Sequence, residues 1–379
     1  LSSGSTYYYR IVAVDHSGNE SGFSSEVQTT LVGTFQTGVV ALIDSSGSEQ
    51  LNFASGSTLF VRVTDADRNG NTGSAETVIA SLGSQTETNA ETVTLTESGP
   101  NTGIFVGSIV LDQAAVVSGD SKLQVSRGDK LTAVYADPAD DFGNAKDVKD
   151  SAFYSVSLVT GEIASNETWS TSASPYLVTG DVTVNQNVTL TIEPGVQVRF
   201  LAISDDQSGG DDSNRSELRV RGVLDAVGTA ENMITFTSNA EVPASGDWYG
   251  IKVYDSGSQV TLKHSTVEYH TYGIHASGSQ SSNPVMDLVV EDSIFRSGGT
   301  AIRRTDGSWW GLVFNRNTVE TTSTEAIYWY NHSDNVSITE NTITNGGFYL
   351  SDMGYNKGTY DISRNTIQGD NAYIYFYGN

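Results

Sequence analysis

The sequence predicts an all-β chain whose C-terminal part is a stack of short-stranded coils. Three observations carry this. Gly is abundant (38) and Pro scarce (6), and Ser, Thr and Asn separate short runs of Val, Ile, Leu and Tyr, the pattern of strands joined by polar turns. Apolar spacing of the helical kind is nearly missing. A unit of about 24 residues repeats toward the C-terminus: Asp292, Asn317, Asn341 and Asn365 fall at steps of 25, 24 and 24.

Residues 1–30 come first. Residues 6–14 alternate, 15–19 turn, and 24–28 extend. They resemble the last two strands of a fibronectin type III domain, with Leu1, Thr6 and Tyr8 at the places of its tyrosine corner. Two strands cannot bury a core alone. The chain starts at Leu1 and stops within a coil, so both ends read as cut from something longer.

Residues 31–156 contain six strand-like runs: 38–43, 59–63, 76–80, 91–95, 103–111 and 130–135. Their length and turn spacing suit a β-sandwich. Residues 65–105 and 135–138 resemble Ig-like repeats of large microbial surface proteins, which implies a spacer or stalk.

Residues 157–379 form the third segment. Residues 189–200, 222–236 and 246–253 resemble opening coils of the pectate-lyase-like superfamily. The resemblance implies a right-handed parallel β-helix with three strands per coil. Coils stack at about 4.8 Å, so about nine give a rod on the order of 45 Å long. The repeated polar residues Asp292, Asn317, Asn341 and Asn365 are expected to form a structural ladder at a tight turn. The Val or Ile two places on is expected to point inward. Glu291, Arg316, Glu340 and Arg364 alternate in charge, as salt-bridged neighbours on adjacent coils do.

Charge and composition exclude some functions. Lys+Arg is 20 against Asp+Glu 45, a formal charge of −25. A chain this acidic repels phosphate backbones, so nucleic acid is not an expected partner. There is no Cys, which removes disulfides and thiolate zinc sites. No apolar stretch reaches the length of a membrane span. Acidity and module order suit an extracellular, cell-surface protein in a calcium-containing medium.

Calcium is the expected cofactor. Asp65, Asp67, Asn69, Gly70 and Glu76 match an acidic calcium-loop spacing, with Asn71 and the stretch holding Asp137 and Asp140 as further ligands. The flanks read as strands, so this is not an EF-hand, and a solvated acidic turn is the alternative reading. Residues 204–212 read as a flexible polar insertion. His264, His270 and His275 with Glu268 match no strong zinc pattern and read as surface histidines.

The aromatic set is the expected glycan or partner contact: Trp309, Trp310, Tyr328, Trp329, Tyr330, Tyr349, Tyr375 and Tyr377. Alternating members point outward, where rings stack on sugars or on protein; the alternative is an inner aromatic stack. For catalysis, Arg303 and Arg304 with Asp306, or Asp287, Glu291 and Asp292, are the candidates, but they form no convincing set. The first reading is therefore a non-catalytic structural or adhesive surface protein that contacts copies of itself or neighbouring modules. A glycan-binding module and a polysaccharide lyase or glycosidase are the alternatives.

Overall fold

The computed structural model describes residues 6–14, 21–30, 35–254, 257–278, 287–305, 310–330, 333–351, 359–370 and 372–377. Leu1, Asp306 and Trp309 lie outside them, as does the side chain of Trp310. The chain divides into two compact units, Leu1–Ser155 and Val156–Asn379. Apart from the 3₁₀ turn Ala66–Arg68, the named elements are strands.

In the first unit, Thr6–Tyr9 pairs antiparallel with Val27–Thr30. A separate nine-stranded sheet is mostly antiparallel. Its strands alternate as a half-buried sheet requires: in Glu91–Glu97 every second residue is buried. Leu59, Val61, Val63, Leu82, Leu95, Phe105, Leu131 and Ala133 are fully enclosed and form one core. The first strand, Val39–Ile43, meets the late strand Lys146–Tyr154 through Leu42 N–H, which donates to Asp150 Oδ2 at 2.6 Å.

The second unit is a parallel β-helix. One face is a sheet of eight parallel strands from Glu167–Trp169 to Tyr360–Ser363. The other two faces diverge from one long strand, Tyr176–Val184. Its first half pairs with Gln197–Phe200 and its second half with Glu217–Val220. Each coil thus runs through three strands, as in Leu288–Glu291, Ile294–Gly298 and Thr300–Arg304. The strands from Glu217–Val220 to Ile374–Tyr377 make up the third face.

Stacked coils place like residues in register. Leu218, Ile251, Ile274, Ile302, Ile327, Phe348 and Ile374 follow one another along the third face. All but Ile374 are buried, and each enclosed side chain contributes about 1.5–3 kcal/mol. Gly250 has φ 141°, and a Cβ there would stand 1.7 Å from Tyr272 O. The close approach of these backbones therefore requires glycine.

The polar ladder is offset by one residue from the sequence reading. Its members are Ser293, Asn317, Asn341 and Asn365, and Asp292 is not one. Ser293 N–H donates to Asn317 Oδ1 (2.9 Å), Asn317 N–H to Asn341 Oδ1 (2.8 Å), and Asn341 N–H to Asn365 Oδ1 (3.0 Å). The side-chain amides of Asn317, Asn341 and Asn365 donate back to Val290, Phe314 and Ile338 carbonyls. The step is 24 throughout, because Ile294 pairs with Thr318. Asp292 holds the left-handed turn position instead, with φ 52°, as do Arg316, Glu340 and Arg364. There it forms an ion pair with Arg316 at 2.8 Å, and Arg364 pairs with Glu340 at 2.9 Å.

Candidate functional site

Side chains that alternate out of the third face form one column. In register they are Arg219, Lys252, His275, Arg303, Tyr328, Tyr349 and Tyr375. The lower half is basic and the upper half phenolic. Basic residues are few in this acidic chain, so their gathering here marks the face as the main candidate site.

Each member is engaged with a neighbour. Lys252 Nζ contacts Asp211 Oδ2 at 2.5 Å, and Tyr254 OH donates to Asp211 Oδ1 at 3.2 Å. Tyr249 OH lies 2.7 Å from His275 Nδ1. Lys252 Nζ stands 3.3 Å from the same nitrogen. An ammonium only donates, so Nδ1 is the acceptor and the ring is neutral with its proton on Nε2. Burial, then the Lys252 charge, drives the His275 pKa down to about 3. Arg303 is held between the rings of Tyr272 (4.8 Å) and Tyr328 (5.0 Å). Tyr328 and Tyr349 stack at 4.6 Å and 5°, and Tyr349 and Tyr375 at 4.8 Å and 12°.

This stacking has a chemical consequence. Both faces of Tyr349 are covered, and Tyr328 is covered by Tyr349 and Arg303. What these two turn to solvent is ring edges and hydroxyls. Sugar rings stack on open faces, so these phenols offer hydrogen bonds instead.

The segment 204–212, expected to be flexible and solvated, is built into the site. Asp205 accepts from Asp181 N–H (3.2 Å) and Gly209 N–H (2.7 Å). Asp206 accepts from the hydroxyls of Thr160 (2.8 Å) and Thr179 (2.7 Å). Asp211 and Asp212 N–H donate to Glu217 Oε1 at 2.7 and 3.0 Å. Composition suggested solvation because it does not reveal which backbone donors these carboxylates meet.

Under this segment lies a buried acid pair missed by the sequence reading. Asp181 and Glu217 are 1% and 0% exposed. Glu217 N–H donates to Asp181 Oδ1 at 2.9 Å. Asp181 Oδ2 and Glu217 Oε2 receive no hydrogen bond; Arg219 stands 3.5 and 3.9 Å from them. Burial foremost, and then the partner carboxylate, pushes Glu217 up to about 7. Burial likewise raises Asp181 to about 6. Gly210, at φ 67°, covers the pair: a Cβ there would meet Asp181 Oδ2 and Glu217 Oε1 at 2.8 Å. These acids are enclosed, which separates them from any polymer lying on the face.

The remaining sequence candidates are placed as follows. Trp329 is 0% exposed, so the expectation that it contacts a ligand is corrected: Tyr328 and Tyr330 take the outward positions and Trp329 the inward one. Tyr330, Tyr375 and Tyr377 are exposed. Arg304 is also inside, over the Trp329 ring at 5.1 Å. His270 and His275 are buried, not on the surface. His270 packs edge-on against Trp248 and Phe295, and burial alone drives its pKa to about 3. Glu268 accepts from Thr237 and pairs with Arg296 at 2.6 Å. Asp287 accepts from Gly311 N–H, and Glu291 pairs with Lys263 and Arg316.

In the first unit the expected calcium ligands act as backbone acceptors. Asp65 is buried and accepts from Tyr135 OH (2.6 Å) and Asp67 N–H (2.9 Å). Burial raises its pKa, and the Tyr135 hydrogen bond opposes this. Asp137 accepts from Gly38 and Ala139 N–H, and Asp67 from Gln36 N–H. Glu76 accepts from Gly70 and Asn71 N–H. Asn69 donates to Asn101, and Asn71 to Ser74. Asp140 accepts from Phe142 and Asn144 N–H, which lowers its pKa. Among the described residues no group of three or more His, Asp or Glu is arranged to hold a metal ion. These carboxylates hold the turns by accepting backbone N–H groups.

Comparison with known families agrees with the fold. Residues 161–283 match the family described as pectate-lyase like beta helix domain. That span covers the acid pair, residues 201–216, Lys252 and His275. Comparison with curated proteins gives no match.

Proposed function

We propose that this chain is a non-catalytic structural or adhesive module of an extracellular surface protein, with its β-helix as the rigid part. The observation that supports this is the third-face column. Its cations and imidazole and the faces of its stacked phenols are engaged with neighbouring residues, and the nearby carboxylates Asp181 and Glu217 are shut under Gly210. A lyase or glycosidase needs a base or an acid within reach of the polymer. In this reading residues 1–30 are the tail of a fibronectin type III domain and residues 31–156 an Ig-like spacer. The antiparallel strands and single core of the first unit are compatible with that. Partners are copies of the chain or neighbouring modules.

The decisive assay incubates the chain with pectic, alginate and neutral polysaccharides and follows unsaturated products and new reducing ends. No product is expected. Product release that disappears in Lys252→Ala or Arg303→Ala would overturn the reading. Negative-stain microscopy with and without a chelator tests self-association: filaments support a polymer subunit, and isolated particles under both conditions count against it.

A further inference from the structure

A concavity lies on another edge of the β-helix, at the turns that lead from strands such as Ile294–Gly298 into the third face. It is a groove of about 820 Å³. Its floor crosses successive coils at Tyr269, Ser297, Thr321 and Asn345, at sequence steps of 28, 24 and 24, with a bulge at Ser297 that sets Thr321 opposite Gly298. Tyr269, Ser297 and Asn345 share a left-handed backbone (φ 61°, 54° and 61°), and Thr321 instead ends the strand Thr318–Thr321. Coils stack at about 4.8 Å; Tyr269, Ser297 and Asn345 offer polar side chains along the floor, while Thr321 is buried and its hydroxyl donates to Gly299 O at 2.6 Å.

One wall is residues 243–245. It is anchored at both ends. Gly246 and Asp247 N–H donate to Tyr269 O at 2.9 and 3.0 Å. Asp247 Oδ2 accepts from Ser238 Oγ and Ala244 N–H. Ser245 Oγ reaches Thr322 Oγ1 at 3.0 Å, which ties the wall to coils farther along the rod. The groove is thus formed in advance of any ligand, which reduces the ordering cost of binding.

The lining chemistry selects the ligand. It is hydroxyl, amide and carboxylate with one phenol ring and the small apolar Pro243 and Ala244 on the wall, and lacks the large apolar centre that protein interfaces use. Its charged groups are Glu320 and Asp370, and it has no cation. The cation that pairs in register with Glu320, Arg296, is held by Glu268 at 2.6 Å. We infer that this groove binds an uncharged glycan chain lengthwise, its hydroxyls bonded by the repeated turn residues and one sugar packed on Tyr269. Glu320 and Asp370 accept sugar hydroxyls and repel uronate polymers. This inference does not rest on the non-catalytic reading, because it uses another edge of the rod.

Calorimetry of the full chain tests it, with a soluble β-glucan and a galactomannan as neutral probes and polygalacturonate as the charged one. Binding of at least one neutral probe, and none of polygalacturonate, is expected. Thr322→Trp fills the groove from an exposed position, with loss of the hydroxyl bonds to Ser245 and Gly298 O, and should weaken neutral binding at least tenfold with the β-sheet circular dichroism unchanged. Glu320→Ala should weaken it less. Tyr349→Phe, which removes a third-face hydroxyl and keeps the stack, should leave it unchanged. No binding of either neutral probe at millimolar concentration overturns the inference. So does neutral binding that survives Thr322→Trp, or that falls in Tyr349→Phe instead.

Discussion

Glu217→Gln should stabilise the β-helix in a pH-dependent way. In the folded chain burial and the Asp181 carboxylate raise the Glu217 carboxyl from its ordinary 4.5 to about 7. Below pH 4 the residue is protonated whether the chain is folded or unfolded, and the replacement is isosteric, so little changes. As pH rises through the window from about 4.5 to 7 the unfolded chain ionises first, and the folded state loses relative stability until the folded group also ionises. At 1.36 kcal/mol per tenfold, that loss is about 3 kcal/mol above pH 7. Glutamine escapes it. Its Oε1 keeps the bonds from Asp211 and Asp212 N–H. All five tryptophans (Trp169, Trp248, Trp309, Trp310 and Trp329) lie in the second unit. Their fluorescence during urea unfolding of the full chain therefore reads the β-helix. The variant's advantage should grow from near zero at pH 4 to about 3 kcal/mol at pH 8. A difference that stays flat across that range would refute the buried-pair argument.

Three further outcomes follow from the same geometry. Asn341→Ala strands Asn317 N–H and Phe314 C=O; at about 1–3 kcal/mol for each buried orphan, urea unfolding should show a loss of about 2–6 kcal/mol. Tyr349→Ala removes two stacked pairs, each worth about 0.5–1.5 kcal/mol beyond burial, and should cost about 1–3 kcal/mol in the same assay. Arg316→Ala breaks exposed pairs with Glu291 and Asp292; its cost should stay below about 1 kcal/mol and shrink in high salt when melting is followed by calorimetry.

The β-helix was legible because its signal is a period, and a period survives uncertainty about any single residue. The ladder was misassigned by one place for an instructive reason. In residues 291–294 a serine stands where later coils carry asparagine, and the adjacent aspartate resembled the missing amide. Only backbone register distinguishes a residue that accepts from the next coil from one that makes the left-handed turn. Trp329 was misread because exposure alternates along a strand, and sequence alone leaves the phase open in a run of three aromatics. The histidines were placed outside because no metal pattern joined them, yet a neutral imidazole packs well against Trp248 and Phe295. The acid pair was invisible for another cause: Asp181 and Glu217 are 36 residues apart, and neither lies in the aligned repeat.

The departures from the repeat carry the argument about function. Where the step is 24, coils differ little and their side chains meet their counterparts: amide on amide, ring on ring, acid on base. Such rungs hold the rod together and leave little free for a partner. The step between the ladder positions Ser265 and Ser293 is 28, and the early coils also carry the insertions 201–216 and 239–247. The first insertion closes the acid pair, and the second raises the wall of the groove. A binding site on a stacked fold must break the symmetry that stabilises it, since identical rungs cannot mark one position along the axis. Both insertions stand on coils before the regular series begins, so the wall lies against turns whose spacing the regular coils then set.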